Sequence, residues 1–233
     1  MKFGELHPRT LLADLQEDLL SGAARRAGAA AFHRELAWRE FSADQLWHHP
    51  DAARSDLRAA LRGLRMDAPG PRLRAWEQGR TGFPLVDAGM RQLLAEGWMH
   101  NRARMVVASF LVKDLHLPCQ LGARWFMRQL RDGDLASNSL NWQRVAGSGS
   151  DAAPYVRIFN PVTQGLRFDP AGRYVRRHVP ELEHLPGAAV HLPWDAADGY
   201  AHGYPQRIVD HATERTRALA RLAQAHRPGG PDL

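Results

Sequence analysis

The sequence predicts an all-α fold, a multi-helical domain, on three observations. Apolar residues recur at helical spacing over residues 11–20, 32–47, 57–64, 85–94, 105–117 and 125–130. Alternation of period two, the mark of a half-buried strand, is nearly absent. Helix punctuation agrees with the periodicity: Pro84 sits just inside one helix, Asp87 adds an acid to its first turn, and Gly97 marks its end before another helix opens near His100.

Taken in order, the small-residue-rich stretch 21–30 reads as a loop or a weak helix, and 32–47 as a helix burying Phe41 and Leu46. Over 147–169 the pattern gives way to Gly, Ser, Pro and aromatic residues, which predicts a structured surface loop able to carry binding groups. Short helices follow near Tyr174 and Glu181. The last helix is expected from about Arg207 to Ala225, with Ile208, Ala212, Leu219 and Leu222 on one side. A single domain over 1–227 and a disordered tail over 228–233 complete the organisation.

Composition narrows the function classes. With 233 residues, 44% of them apolar, and seven tryptophans, the chain has the material for one sizeable core. The formal charge of +6 comes almost wholly from arginine, Lys2 and Lys113 being the only lysines, and suits a polyanion such as a nucleic acid. A single cysteine, Cys119, excludes an internal disulfide and thiolate zinc clusters and is natural in a reducing cytoplasm. The apolar run 105–112 is far short of a membrane span, and no signal-peptide core follows Met1.

Three constellations carry candidate chemistry. In Glu35-Leu-Ala-Trp-Arg-Glu-Phe41 the spacing lets Glu35 pair with Arg39 on one helical face beside a core Trp38. In Gly97-Trp-Met-His-Asn-Arg-Ala-Arg-Met105, Asn101, Arg104 and Met105 share one face while Arg102 projects about 100° away. In Asp132-Gly-Asp-Leu-Ala-Ser-Asn138 two carboxylates stand close without the further acids of a calcium loop, and if buried they require cationic or N–H partners. By itself Asn138 reads as a helix cap.

The second and third constellations, joined by Thr81-Gly-Phe-Pro-Leu-Val-Asp-Ala-Gly-Met-Arg-Gln-Leu, by Trp142-Gln143 and by Asp151-Ala-Ala-Pro-Tyr-Val-Arg-Ile-Phe-Asn-Pro161, closely resemble the flavin-binding helical domain of the photolyase/cryptochrome family, in its class-I-like form. The resemblance runs from Phe3-Gly-Glu-Leu to Ile208-Val-Asp-His211. It implies FAD as cofactor, damaged DNA as partner, and light-dependent repair of pyrimidine dimers by electron transfer from reduced FAD. It further implies that Glu35 hydrogen-bonds a damaged pyrimidine, that Trp38 stacks on it, and that Arg39 lies near flavin and DNA. Asn101 would floor the cavity, and Arg104 would form a salt bridge beside the flavin with Asp132 opposite. Asp134 would lie beside the isoalloxazine, Asn138 would approach flavin N5, and Trp142 would be the flavin-proximal member of an electron relay. Phe32 stands on the cofactor side where a tryptophan is expected. Arg102, Met105, Arg157 and Gln164 complete the DNA face, whose arginine–phosphate contacts are salt-sensitive and sequence-blind.

Departures from the family pattern belong to the same reading. Met66 and Cys119 stand where the resemblance expects the two distal relay tryptophans, and Arg144 where it expects a lesion-stacking aromatic. A chain without the N-terminal antenna domain, cut at its phosphate-binding edge, is expected, acting as a monomer or with a separate N-terminal half. Two other functions fit the same motifs: a cryptochrome-like flavin photosensor without repair activity, and a non-catalytic DNA-binding module.

Overall fold

The computed structural model describes residues 1–20, 23–62, 64, 66–150 and 158–225. Among them are helices and no strand: α1 (Pro8–Leu20), α2 (Ala23–His48), α3 (Ala59–Arg62), α4 (Pro71–Glu77), α5 (Pro84–Glu96), α6 (Asn101–Ser109), α7 (Cys119–Gln129), α8 (Leu135–Ala146), α9 (Pro161–Phe168), α10 (Arg173–His178) and α11 (His211–Ala225), with a π-helical turn over Phe110–Asp114 and four short 3₁₀ turns. No described helix is long and apolar enough to cross a membrane. The tail expected at 228–233 lies outside the described residues.

Helix α5 is the axis of the fold. Pro84 supplies a fixed φ at its first position, and Gly97, at φ 65°, takes the left-handed conformation that closes its last turn on the Leu93 carbonyl. Asp87 in the first turn is fully buried: its carboxylate accepts from the Thr81 amide (2.7 Å), the Thr81 hydroxyl (2.6 Å), the Gly82 amide (3.0 Å) and the Tyr204 hydroxyl (2.7 Å). Burial pushes this carboxyl above the usual range, while Thr81, Tyr204 and the nearby Arg91 pull it back. Arg91 forms a two-pronged bond to Glu181, at 2.6 and 3.0 Å, and so ties α5 to the 3₁₀ turn Pro180–Leu182.

Helix α6 passes into the π turn, every residue of which is buried, and the Leu115 amide closes it on the Phe110 carbonyl five residues back. Together α5, α6 and this turn supply most of the main core, with Trp76, Phe126 and Trp142 packed against them. Helix α8 packs on α2, α6 and α7, and α11 packs on the π turn. The amide of Gln143 fastens α8 to the chain before α3, donating to the carbonyls of Ala52 (2.6 Å) and Ser55 (3.0 Å) and accepting from the Leu57 amide (2.9 Å).

Several sequence expectations need correction. Of the two readings of 21–30, the helical one holds from Ala23 on, where the chain belongs to the long helix α2. Within 147–169 the loop is interrupted by α9, whose N-cap Asn160 accepts from the amides of Val162 and Thr163. Phe41 is exposed, and the buried apolar residue of that part of α2 is Leu36. The last helix starts at His211 and buries His211, Glu214, Ala218 and Leu222, whereas Ala212 and Leu219 face outward. Polar residues take the inner face there because the π turn and the residues just after it offer them partners: His211 bonds Asp114 at 2.5 Å, and Glu214 bonds His116 at 2.7 Å.

Candidate flavin and DNA site

Helix α2 carries Glu35, Trp38 and Arg39 onto α8, which carries Asn138, Trp142 and Arg144. Contact between the two is made by the Arg144 guanidinium, 4.5 Å above the Trp38 ring, with Phe41 edge-on to the same indole at 5.7 Å. Trp38 is thus no core residue. It is 37% exposed, with one face covered by a cation, an arrangement worth about 0.5–1 kcal/mol at an exposed position. The predicted Glu35–Arg39 pair is not made: Arg39 pairs with Glu40, and Glu35 is exposed. Two exposed long side chains gain little from a partner four residues away when an adjacent carboxylate reaches the same guanidinium. Phe32 lies exposed one helical turn earlier on α2.

Helix α6 opens with His100 as its cap, the ring Nδ1 accepting from the Arg102 amide at 3.1 Å. Asn101 is exposed at the first position, and Arg104 and Met105 are half-buried. Arg102 reaches across to α9, its guanidinium 4.4 Å above the Phe168 ring, and Arg167 flanks the same ring at 5.1 Å. Gln164 lies one turn back from Phe168 on α9, its Oε1 buried without a hydrogen-bond partner among the described residues. Arg157 lies outside the described residues. Sequence reasoning missed Phe168 as a platform for two arginines, because an aromatic at a helix end announces nothing until its neighbours are known.

The acidic pair divides its roles. Asp134 caps α8, accepting from the Ser137 amide at 2.8 Å, and is half-buried; Asp132 is exposed on the preceding loop. Asp132 makes no ion pair within 4 Å of Arg104 among the described residues, so the expected salt bridge is replaced by a longer-range attraction. Burial lowers the Arg104 pKa and the field of Asp132 offsets part of that shift. One guanidinium edge of Arg104 is occupied, its Nε donating to the Met99 carbonyl at 2.6 Å. Asn138 is no cap. It sits inside α8 with Nδ2 donating to the Ala123 carbonyl at 2.8 Å, which fixes the amide and leaves Oδ1 as its remaining acceptor.

Trp142 is buried among aromatic rings, edge-on to Phe126 at 5.1 Å and to Trp76 at 6.1 Å. Its six-membered ring fills the space beside Gly122, where an added Cβ would stand 2.2 Å from Trp142 Cη2 and 2.7 Å from Leu111 Cδ2. Gly122→Ala is therefore expected to displace the indole and to cost about 1–3 kcal/mol in urea unfolding, with a changed tryptophan emission spectrum in the native state.

The donor set fits a flavin. A partly buried arginine without an adjacent carboxylate, an acceptor oxygen held by Asn138 and a helix-capping carboxylate at Asp134 match the polarised pyrimidine edge of an isoalloxazine, which offers both N–H and carbonyl groups. Among the described residues no group of three or more His, Cys, Asp or Glu could hold a metal ion.

Comparison with known proteins agrees with this geometry. The family model described as the FAD binding domain of DNA photolyase matches residues 32–224. The deoxyribodipyrimidine photo-lyase of Escherichia coli K12 is 45% identical over 96% of this chain and 48% of its own length. The crystal structure of a bacterial class III photolyase from Agrobacterium tumefaciens superposes with a TM-score of 0.80 at 46% identity, covering 84% of this chain and 42% of that one. A cryptochrome structure from Synechocystis sp. PCC6803 superposes with a TM-score of 0.83 at 32% identity, over 92% of this chain and 46% of that one. The chain spans about half the length of the curated relatives it matches. With the helical scaffold, the arginine and amide set on α6 and α8 and a family match over most of its length, this chain belongs to the photolyase/cryptochrome family, as its FAD-binding helical domain.

Proposed function

We propose that this chain is the FAD-binding, lesion-recognising part, over residues 1–227, of a class-I-like enzyme that repairs pyrimidine dimers in DNA with light. The observation that carries the reading is the Arg144 guanidinium over Trp38 where α2 lies on α8, with Asn138 of α8 held against α7 and with α6, which carries Arg102 and Arg104, packed on the same helix. Bound and reduced, FAD supplies the excited electron that opens the dimer. Arg39, Arg104, Asp132, Asp134 and Asn138 hold and orient the flavin, with Phe32 at its margin. Glu35 offers a carboxyl to the flipped pyrimidines, Trp38 a stacking face, and Asn101 and Met105 the floor of the cavity. Arg102, Arg144, Arg157 and Gln164 hold the flanking phosphates. Trp142, shielded from solvent, is the side chain through which an electron reaches the flavin.

Two results test the reading. Protein purified in dim light, with FAD added if colourless, is expected to show a bound-flavin absorption spectrum and, under reducing conditions, light-dependent loss of dimers from irradiated DNA. A colourless protein that takes up no FAD sinks it and leaves a DNA-binding module. A flavoprotein that leaves dimers intact points to the second reading, a cryptochrome-like photosensor, which is favoured by one observation: a guanidinium, not an aromatic ring, covers Trp38.

The lesion wall makes a quantitative prediction. Because base stacking on an aromatic is worth about 1–3 kcal/mol, Trp38→Ala is expected to weaken binding to dimer-containing DNA at least about fivefold and binding to undamaged DNA far less. Arg144→Trp is expected to strengthen lesion binding by a similar factor. Fluorescence anisotropy with matched damaged and undamaged oligonucleotides reads both, and equal losses on the two DNAs for Trp38→Ala would exclude the indole from lesion recognition.

A further inference from the structure

Away from the flavin and DNA residues lies a cavity of ≈ 390 Å³ between the π turn, the start of α7, the end of α8 and α11. None of the residues assigned above to FAD or to DNA lines it. Its volume falls in the range of small-molecule sites, about 300–1,000 Å³, and is well above the roughly 150 Å³ that houses a benzene ring. One wall is apolar, built from Leu61, Met66, Val112 and Leu222.

Lys113, only 3% exposed, also lines the cavity. Its ammonium donates to the Ala146 carbonyl at 2.5 Å, one bond for a group with three donors. No carboxylate lies within ion-pair distance of it among the described residues. Asp56 also lines the cavity: its field offsets part of the effect of burial on Lys113, but it lies beyond ion-pair distance and accepts from Ser148 Oγ (2.6 Å), Gln120 Nε2 (3.1 Å) and Cys119 Sγ (3.7 Å). Arg54 and Arg62 add positive charge at the rim. A buried cation without a counter-ion in contact is costly, and burial, offset only in part by the field of Asp56, pulls the Lys113 pKa down to about 8. A monoanion inside the cavity would remove that penalty, and the apolar wall selects against a bare inorganic ion, whose hydration it cannot replace.

We propose that this cavity binds a small planar aromatic carboxylate, one or two fused rings against Met66, Val112 and Leu222 with the carboxylate on Lys113 Nζ. The ring lies against the apolar residues, and its carboxylate gives the ammonium the counter-ion in contact that Asp56 does not supply.

The test is isothermal titration calorimetry of the whole chain with indole-3-carboxylate, with neutral indole and with inorganic phosphate. The carboxylate is expected to bind at least tenfold more tightly than indole, and phosphate to give no heat. Lys113→Met should erase the preference for the carboxylate while leaving indole affinity within twofold. Cys119→Trp, which puts an indole into the cavity from its own wall, should abolish binding of both rings, and Val112→Phe should do the same if the first variant does not fold. Circular dichroism melts identify the folded variants. Absence of heat with indole-3-carboxylate, equal affinity for the carboxylate and indole, tighter binding of phosphate, or binding that survives the filling substitutions would each overturn the proposal.

Discussion

Replacing Asp87 with alanine is expected to destabilise the protein by about 3–5 kcal/mol. The carboxylate is fully buried and is the shared acceptor of four donors, the Thr81 amide and hydroxyl, the Gly82 amide and the Tyr204 hydroxyl. Alanine leaves all of them in a space that water cannot fill without opening the junction. The chain from Tyr204 to Ile208 is also held there, since the Ile208 amide donates to the Thr81 carbonyl and Gly82 lies where a Cβ would stand 2.4 Å from the Gln206 carbonyl oxygen. Loss at Asp87 should therefore loosen the start of α5 and the approach to α11 together. Asparagine, which keeps one acceptor oxygen and adds a donor facing other donors, should recover less than half of the loss. Urea unfolding of the three proteins at neutral pH reads the effect, and a cost under 1 kcal/mol for Asp87→Ala would mean that the four donors find other partners.

Replacing Lys113 with methionine is expected to do the opposite at neutral pH and to change with pH in a defined direction. Burial lowers the Lys113 pKa from 10.5 to about 8. Between those values the unfolded chain binds more protons than the native one, so the native protein gains stability from this group as pH rises through the window and loses it as pH falls. Below pH about 8 both states are protonated and the penalty is complete, about 3 kcal/mol by the conversion of one pKa unit to 1.36 kcal/mol. Methionine removes the penalty together with the bond to the Ala146 carbonyl, worth about 1 kcal/mol, so a net gain of about 2 kcal/mol is expected at pH 7. Near pH 10 the gain should vanish. Denaturation midpoints of the two proteins at both pH values check this, and a pH-independent difference would mean that Lys113 titrates normally in the native state.

The two predictions concern residues whose sequence signals differed greatly. Asp87 was legible as an acid in a first helical turn, since Pro84 before it and Gly97 after it bound the helix. Its role as a four-donor hub was not, because Tyr204 is far away along the chain. Lys113 sits in an apolar run and carries no local mark of its surroundings; the π turn and α8 decide its burial. The acidic motif shows the same division. Asp134 is the helix cap that its position before an apolar run allows, while the ion pair expected for Asp132 depends on a loop whose course no periodicity encodes. At Glu35 and Arg39 the spacing of four was correct for pairing, yet the adjacent Glu40 prevails on an exposed face where neither contact gains much.

What the sequence determined by itself is therefore whatever rests on short range. Helical period, proline and glycine punctuation and two long motifs sufficed for an all-α domain and for its family. Tertiary structure alone decided that Arg144 covers Trp38, that Arg102 rests on Phe168, that Trp142 is enclosed by Trp76 and Phe126, and that a buried lysine lines a cavity between segments more than a hundred residues apart. The physical reason is that helix signals act over one or two turns of chain, whereas desolvation, stacking and cavity shape depend on which faces meet once the helices pack.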